Sequence, residues 1–248
     1  MKIYILESGS RGNCSLLEDD GHLYLIDMGV PLKVLTSGLE AINKTLMDIE
    51  AMFLTHEHGD HTRGIQYLNP LPIYCTSGTW EANNTVDIAP YEPFKINNLI
   101  VTPVSLSHDV NDPVGFIFEN DKEKMVYITD TGFLSEKTLS YLYNADYYVF
   151  ESNYDFKMLI NCGRPASLVA RISSETGHLS NSDSARYMTK LIGDKTKEII
   201  LAHISMESNT HEMALKTYNK IFKKAHISLD RIDLKCADQF EMVIGGGK

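Results

Sequence analysis

The segment Phe53-Leu-Thr-His-Glu-His-Gly-Asp-His61 gathers four metal-competent side chains, His56, His58, Asp60 and His61, into six residues. On extended backbone His56 and His58, two positions apart, point to the same side. Gly59 permits a sharp turn after them and aims Asp60 and His61 at a second point a few ångströms away. Two nitrogen ligands followed by an oxygen and a nitrogen suit two adjacent borderline divalent ions, with zinc the first choice and manganese compatible. Without a cation, four such groups would repel when protonated or carry unpaired polar atoms when buried. The segment reads as a metal site.

Such a loop has to be launched from a rigid edge, and the apolar run Ala51 to Leu54 is short enough for a buried strand. Other strands are expected at Ile3–Leu6, at Leu16-Leu17 and Leu23–Ile26 around the Asp19-Asp-Gly21 turn, and at Pro72–Cys75. Leu99–Leu106, Pro113–Phe118, Lys124–Ile128, Tyr147–Phe150, Glu198–Ala202, Ile232–Leu234 and Glu241–Ile244 complete the set. Apolar spacing and start signals predict helices over Leu32–Ile42 after Pro31, Thr62–Leu68, Ser77–Ala82, Ser180–Ile192 and Met213–Ala225. The tail from Gly245 to Lys248 is expected to be mobile. No short-period repeat is present, although the strands fall into two halves divided near residue 112.

Several strands end in chemistry. Asp27 follows Leu23–Ile26, and His108 follows the long strand Leu99–Leu106. Asp130 follows Lys124–Ile128, Glu151 follows Tyr147–Phe150, and His203 follows Glu198–Ala202. Read alone, Asp130 serves equally well as a helix cap or turn residue.

With 248 residues, 43% of them hydrophobic and 23% charged, the chain can bury a substantial core as one domain over residues 1–248. No run approaches the ~20 apolar residues that span a bilayer. The opening Met-Lys-Ile-Tyr-Ile-Leu-Glu reads as a first strand rather than a signal peptide. Cys14, Cys75, Cys162 and Cys236 are scattered without a disulfide-like framework, which suggests reduced thiols and a cytoplasmic setting. A formal charge of −10 argues against broad nonspecific binding to nucleic acid, but not against a local groove.

His-x-His-x-Asp-His after an apolar strand resembles the signature of the metallo-β-lactamase superfamily, whose members are mostly metal-dependent hydrolases. The resemblance implies an α/β fold of the four-layer αββα type. It places His56, His58 and His108 on one ion and Asp60, His61 and His203 on a second, with Asp130 bridging them. It gives Asp27 the task of orienting the histidine loop from behind the ligands, and Asp60 that of orienting or deprotonating the attacking water. Two adjacent divalent ions lower the pKa of a shared water, which is hydrolase chemistry.

Glu151-Ser-Asn-Tyr154 and Gly177-His178-Leu-Ser180 are not needed by the metals. The stretches from Thr176-Gly-His178 to Leu201-Ala-His203-Ile-Ser205 resemble the corresponding part of tRNase Z and of β-CASP nucleases. That resemblance implies His178 as a general acid toward a phosphate ester and Glu151 as its orienting partner; otherwise Gly177 to Ser180 is a helix-capping loop. The short interval from Glu151 to His178 leaves no room for a β-CASP insert, and no long exosite arm of the tRNase Z kind is evident. Ser8-Gly-Ser-x-Gly-Asn13, Ser107-His-Asp109, Gly163-Arg-Pro165 and Gly177-His-Leu-Ser-Asn181 make the YycJ/WalJ-like subfamily the nearest resemblance, covering almost the full chain. It implies 5′→3′ exonuclease activity on duplex DNA. The alternative is a small-molecule hydrolase of a cyclic phosphodiester, thioester or lactone. Candidate phosphate contacts are Ser8, Ser10 and Asn13, whose turn can present backbone N–H groups to an anion, and above all Arg164, followed by Arg11, Arg63, Lys157 and Arg171.

Overall fold

The computed structural model describes every residue except Asn69 and Lys248. Two seven-stranded mixed sheets face each other. The first contains β1 (Lys2–Glu7), β2 (Cys14–Asp19), β3 (His22–Ile26), β4 (Ile49–Phe53), β5 (Ile73–Thr76) and β6 (Thr85–Ile88) in that order, with the C-terminal strand β14 (Val243–Gly246) added beside β1. The second runs in order through β7 (Phe94–Ile96), β8 (Leu99–Ser105), β9 (Val114–Glu119), β10 (Lys124–Ile128), β11 (Tyr147–Glu151), β12 (Glu198–Ala202) and β13 (Asp233–Cys236).

Each sheet has three antiparallel pairings followed by three parallel ones, so β3 and β10 occupy equivalent places. Asp27 and Asp130 follow these strands, both in the left-handed region at φ 56 and 58. Aspartate tolerates that conformation better than most residues. The halves divide between Ile88 and Phe94 rather than near residue 112, and β14 returns to the first sheet.

The sandwich explains why β4 reads as a nearly unbroken apolar run: both its faces are buried. Ala51 and Phe53 point into the core between the sheets, whereas Met52 and Leu54 join Leu35 and Leu39 of α1 (Leu32–Ala41) on the outer side. The outer face of the second sheet is covered by α3 (Glu136–Leu142), α6 (Asn181–Leu191) and α7 (His211–Lys224) through Leu139, Leu142, Met188, Leu191, Tyr218 and Phe222. Layer order is therefore helix, sheet, sheet, helix, the αββα sandwich expected. Phe53 is fully buried at its centre, with ring centroids of Tyr24, Tyr74, Phe94, Phe116 and Phe118 between 5.3 and 6.3 Å away. Phe53→Ala should cost about 3–5 kcal/mol in urea unfolding monitored by circular dichroism, since the cage of rings cannot close on the cavity.

Some expected elements differ. Thr62–Leu68 is not one helix: α2 (Gly59–Thr62) stops and a 3₁₀ turn follows at Ile65–Tyr67, because the Gly64 N–H donates to the Met28 carbonyl at 2.7 Å instead of continuing the helix. Ser77–Ala82 is a turn, with Gly78 at φ 85, outside any right-handed helix. The tail expected to be mobile is paired through Gly245 and Gly246 with Ile3 and Lys2; Lys248 lies outside the described residues. The short helices α3, α4 (Phe156–Asn161) and α5 (Ala166–Ile172) and the strands β6 and β7 were not anticipated. No helix among the described residues is long and apolar enough to cross a membrane.

Candidate active site

The carboxyl ends of the parallel strands β3, β4, β10, β11 and β12 deliver the reactive side chains, where α/β sheets commonly bind ligands. β4 launches the loop Thr55–His61, β8 leads to His108, β10 to Asp130, and β12 to His203. Their side chains line one pocket of about 200 Å³, in which His58, His108, Asp60, Asp130, His178 and His203 meet Ser10, Asp109 and Arg171.

Four overlapping ligand groups are evident among the described residues, two of them through Asp130: His56–His61–Asp130 and Asp130–Glu151–His178–His203. His56, His58 and His108 each offer a nitrogen to one point, with ring centroids 4.9 to 5.3 Å apart. Asp60, His61 and His203 converge on another; Asp60 Oδ2 lies 3.9 Å from His61 Nε2 and 3.8 Å from His203 Nε2. Asp130 stands between them. Its Oδ2 is 3.2 Å from His61 Nε2, and its Oδ1 is 3.5 Å from His203 Nδ1 and 4.0 Å from His108 Nε2.

The donor chemistry fits divalent cations. His56 Nε2, Asp130 Oδ2 and His203 Nε2 are buried with no hydrogen-bond partner, although buried polar atoms are almost always paired. Burial, aided by the His61 imidazole, holds His56 well below the ordinary histidine range, so its ring is neutral and carries a lone pair. Burial works against ionisation of Asp130, but His203 and His61 keep it well below the carboxylate range. Burial likewise opposes charge on His203, yet Asp130, Asp60 and Glu151 push it up to about 10. The cluster is a concentration of carboxylate that draws positive charge. These observations support metal binding at the histidine–aspartate clusters.

Orientation comes from behind. The fully buried Asp27 accepts from the Thr55 N–H at 2.9 Å, from Thr55 Oγ1 at 3.0 Å, and from His61 Nδ1 at 2.8 Å, which leaves His61 Nε2 to face the cluster. His108 donates Nδ1–H to the Gly177 carbonyl at 3.0 Å, and Asn153 Nδ2 donates to the His203 carbonyl at 2.9 Å. Asp27→Asn should weaken metal affinity about 10–100-fold, read by competition with a chromogenic chelator. Unchanged affinity would mean that Thr55 alone holds the loop.

Glu151 and His178 are brought together. His178 Nδ1 lies 2.7 Å from Glu151 Oε1, and Oε2 of the buried Glu151 accepts from the N–H groups of Thr131 and Leu179 at 2.9 and 3.2 Å. Burial opposes the Glu151 charge, but His178 holds its carboxyl below the ordinary range. His178 Nε2 has no partner among the described residues, and the ring lines the pocket.

The candidate phosphate contacts separate. Ser10 lines the pocket, whereas Ser8 Oγ accepts from the His203 N–H at 2.9 Å and Asn13 Nδ2 lies 2.9 Å from His61 Nε2. Arg164 pairs with Glu207 at 2.7 Å and lies outside the pocket lining. Arg171 reaches the rim and donates to Asp109, whose Oδ1 is 3.6 Å from His108 Nε2. Arg63 donates to the Gly29 carbonyl and Arg11 stacks 5.8 Å from the Phe240 ring centre. Sequence reading gives Thr55, Asp109 and Asn153 no individual role, although each lies directly beside an expected ligand or strand end.

Hydrolysis assisted by metal ions is the chemistry this donor set serves on such a sandwich. The chain belongs to the β-lactamase superfamily, whose superfamily-domain model matches residues 24–204. It is 33% identical to exodeoxyribonuclease WalJ of Streptococcus pneumoniae serotype 2, covering 96% of this chain and 93% of that protein. It is 32% identical to exodeoxyribonuclease YycJ of Bacillus anthracis, over 89% of this chain and 88% of the other. Among solved structures, the metallo-β-lactamase fold protein YhfI from Bacillus subtilis superposes with a TM-score of 0.72 at 19% identity, over 98% and 99% of the two chains.

Proposed function

We propose that this chain is a 5′→3′ exonuclease that hydrolyses phosphodiester bonds of DNA with two divalent ions, zinc or manganese. The observation that carries the phosphodiester reading is the His178–Glu151 pair, 2.7 Å apart and facing the same pocket as the metal-competent cluster. The relatives named as exodeoxyribonucleases, alike over most of the chain, support the choice of DNA. His56, His58 and His108 would hold one ion, Asp60, His61 and His203 the other, with Asp130 shared. Such ions supply a water of lowered pKa and neutralise charge on the attacked group.

The protein's own groups do the rest. Asp60, on the first turn of α2 and facing the pocket, orients the attacking water and takes up its proton. Glu151 accepts Nδ1–H and stabilises the doubly protonated His178 ring, whose Nε2–H passes its proton to the departing 3′-oxygen. Arg171 at the rim, held by one Nε–H bond to Asp109, exchanges that carboxylate for a phosphate oxygen, since a guanidinium suits both anions.

Purified protein with zinc or manganese should degrade duplex DNA, with bound metal measured on the same sample. Single-stranded DNA, RNA and bis(p-nitrophenyl) phosphate serve as comparisons. Hydrolysis of the small diester alone would leave the metal site in place and remove the nucleic-acid assignment.

A further inference from the structure

A groove of about 760 Å³ runs between α4, α6 and α7, outside the catalytic pocket. Lys216, Lys220 and Lys224 of α7 line it together with Lys157 of α4 and Arg186 of α6, and Asp155 is the one acidic side chain in the lining. The three α7 lysines recur every four residues, so they share one helix face, about 6 Å apart along the axis. All three and Lys157 are exposed and have no ion pair among the described residues. Arg186 pairs with Asp183 at 2.7 Å, and the Asp155 carboxylate is taken up in accepting from the Met158 N–H. In a chain of net charge −10, a groove lined by unpaired lysines stands against the background rather than reflecting it.

The groove comes close to the catalytic end of the sheet. Its inner wall contains Tyr154 and Asn181, joined by an Asn181 N–H to Tyr154 carbonyl bond of 2.8 Å. These residues follow Glu151 and His178 by three positions, which limits the separation along the chain to about 10 Å. α7 starts beside them, since Asn209 Nδ2 donates to the Asn153 carbonyl at 3.1 Å, and Lys216, Lys220 and Lys224 lie successively farther along the helix from that start.

The geometry points to this groove as the track for the sugar–phosphate backbone of duplex DNA beyond the scissile phosphate, a role that rests on the nuclease reading above. Its lysines neutralise phosphates without reading bases, so the contact is independent of sequence and weakened by salt. It supplies a duplex-holding surface within the chain itself, where the overall negative charge would otherwise repel the substrate.

The test compares wild type with K216Q/K220Q/K224Q, and with K33Q/K95Q/K122Q as a control of equal charge elsewhere on the surface. Duplex binding is measured by fluorescence anisotropy in chelator across a salt series, and duplex hydrolysis by KM and kcat. Loss of three phosphate contacts should flatten the slope of log K against log salt by about 2.7 and raise KM about tenfold or more at moderate salt. Within this expectation kcat, bis(p-nitrophenyl) phosphate hydrolysis and the control variant stay unchanged. Equal slopes and equal KM for the α7 variant and wild type, with duplex hydrolysis intact, would overturn the groove and leave the nuclease reading standing. A wild type that neither binds nor cleaves duplex would remove both.

Discussion

His178→Ala should lower the rate of DNA hydrolysis about 10²–10⁴-fold while the bound metal and the unfolding midpoint stay at wild-type values. The ring is outside the two clusters proposed to hold the ions, although it falls with Asp130, Glu151 and His203 in a further group able to hold a cation, and its ordered contact is Nδ1 to Glu151 at 2.7 Å. Removing it deletes a proton donor and leaves those two clusters intact. Structural damage would act through two further contacts: His178 Nδ1 lies 3.6 Å from Asp130 Oδ1, and its ring packs 5.1 Å from that of His203. A substrate with sulfur in place of the bridging 3′-oxygen separates such damage from loss of the proton donor. A thiolate leaves without protonation, so His178→Ala should cleave it at nearly the wild-type rate. A variant equally slow on both substrates would show that His178 acts on the site's geometry. Glu151→Gln should follow the same pattern, since the amide cannot offer an ionised acceptor to Nδ1–H.

The second large effect is expected at a glycine with no chemistry of its own. A Cβ on Gly29 would stand 1.6 Å from the Asp60 carbonyl oxygen, 2.0 Å from its carbon and 2.7 Å from the His61 nitrogen. These are backbone atoms and cannot swing aside. They are also held from the other side: the Asp60 carbonyl accepts from the Asn13 N–H at 2.8 Å and the His61 carbonyl from the Met28 N–H at 2.7 Å. Gly29→Ala must therefore move the first turn of α2, and with it Asp60 and His61, by an ångström or so. Displacement of that size costs about 10²-fold in rate, and metal content after dialysis should fall with it. The core between the sheets lies around Phe53, away from this contact, so the circular dichroism spectrum should be retained. Wild-type metal content and activity in Gly29→Ala would mean that the loop yields freely.

The contrast between these two positions shows what a sequence makes legible. The ligands of the His56–His61 loop could be read because they lie within six residues after one apolar strand, and His108 and His203 because each follows a strand, whereas Asp130 needed the resemblance to tell it from a cap or turn residue. The strand pattern suited two sheets packed face to face, and the resemblance of the histidine loop to the superfamily supplied the αββα layering. Gly29, Thr55 and Asn153 act through contacts between distant segments, which spacing does not encode.

Secondary structure failed where local signals are weak. β6 and β7 are half-exposed strands of 4 and 3 residues, too short for their alternation to stand out, and α3, α4 and α5 are 7, 6 and 7 residues long, too brief to show an apolar period. At Gly245 and Gly246 composition suggested mobility, but pairing with β1 and the Gly246 N–H bond to the buried Glu198 impose order. Arg164, between Gly163 and Pro165, was the favoured phosphate contact. It pairs with Glu207, distant in sequence, outside the pocket lining, while Arg171 lines the pocket from an unforeseen helix.

The most direct measurement is the first product released from one duplex labelled in turn at its 5′ and 3′ ends, with metal-loaded protein and with chelator. The account predicts immediate release of a labelled 5′ nucleotide, delayed appearance of the 3′ label, and no release in chelator. Release from the 3′ end first, internal cuts, or activity undiminished by chelator would contradict it.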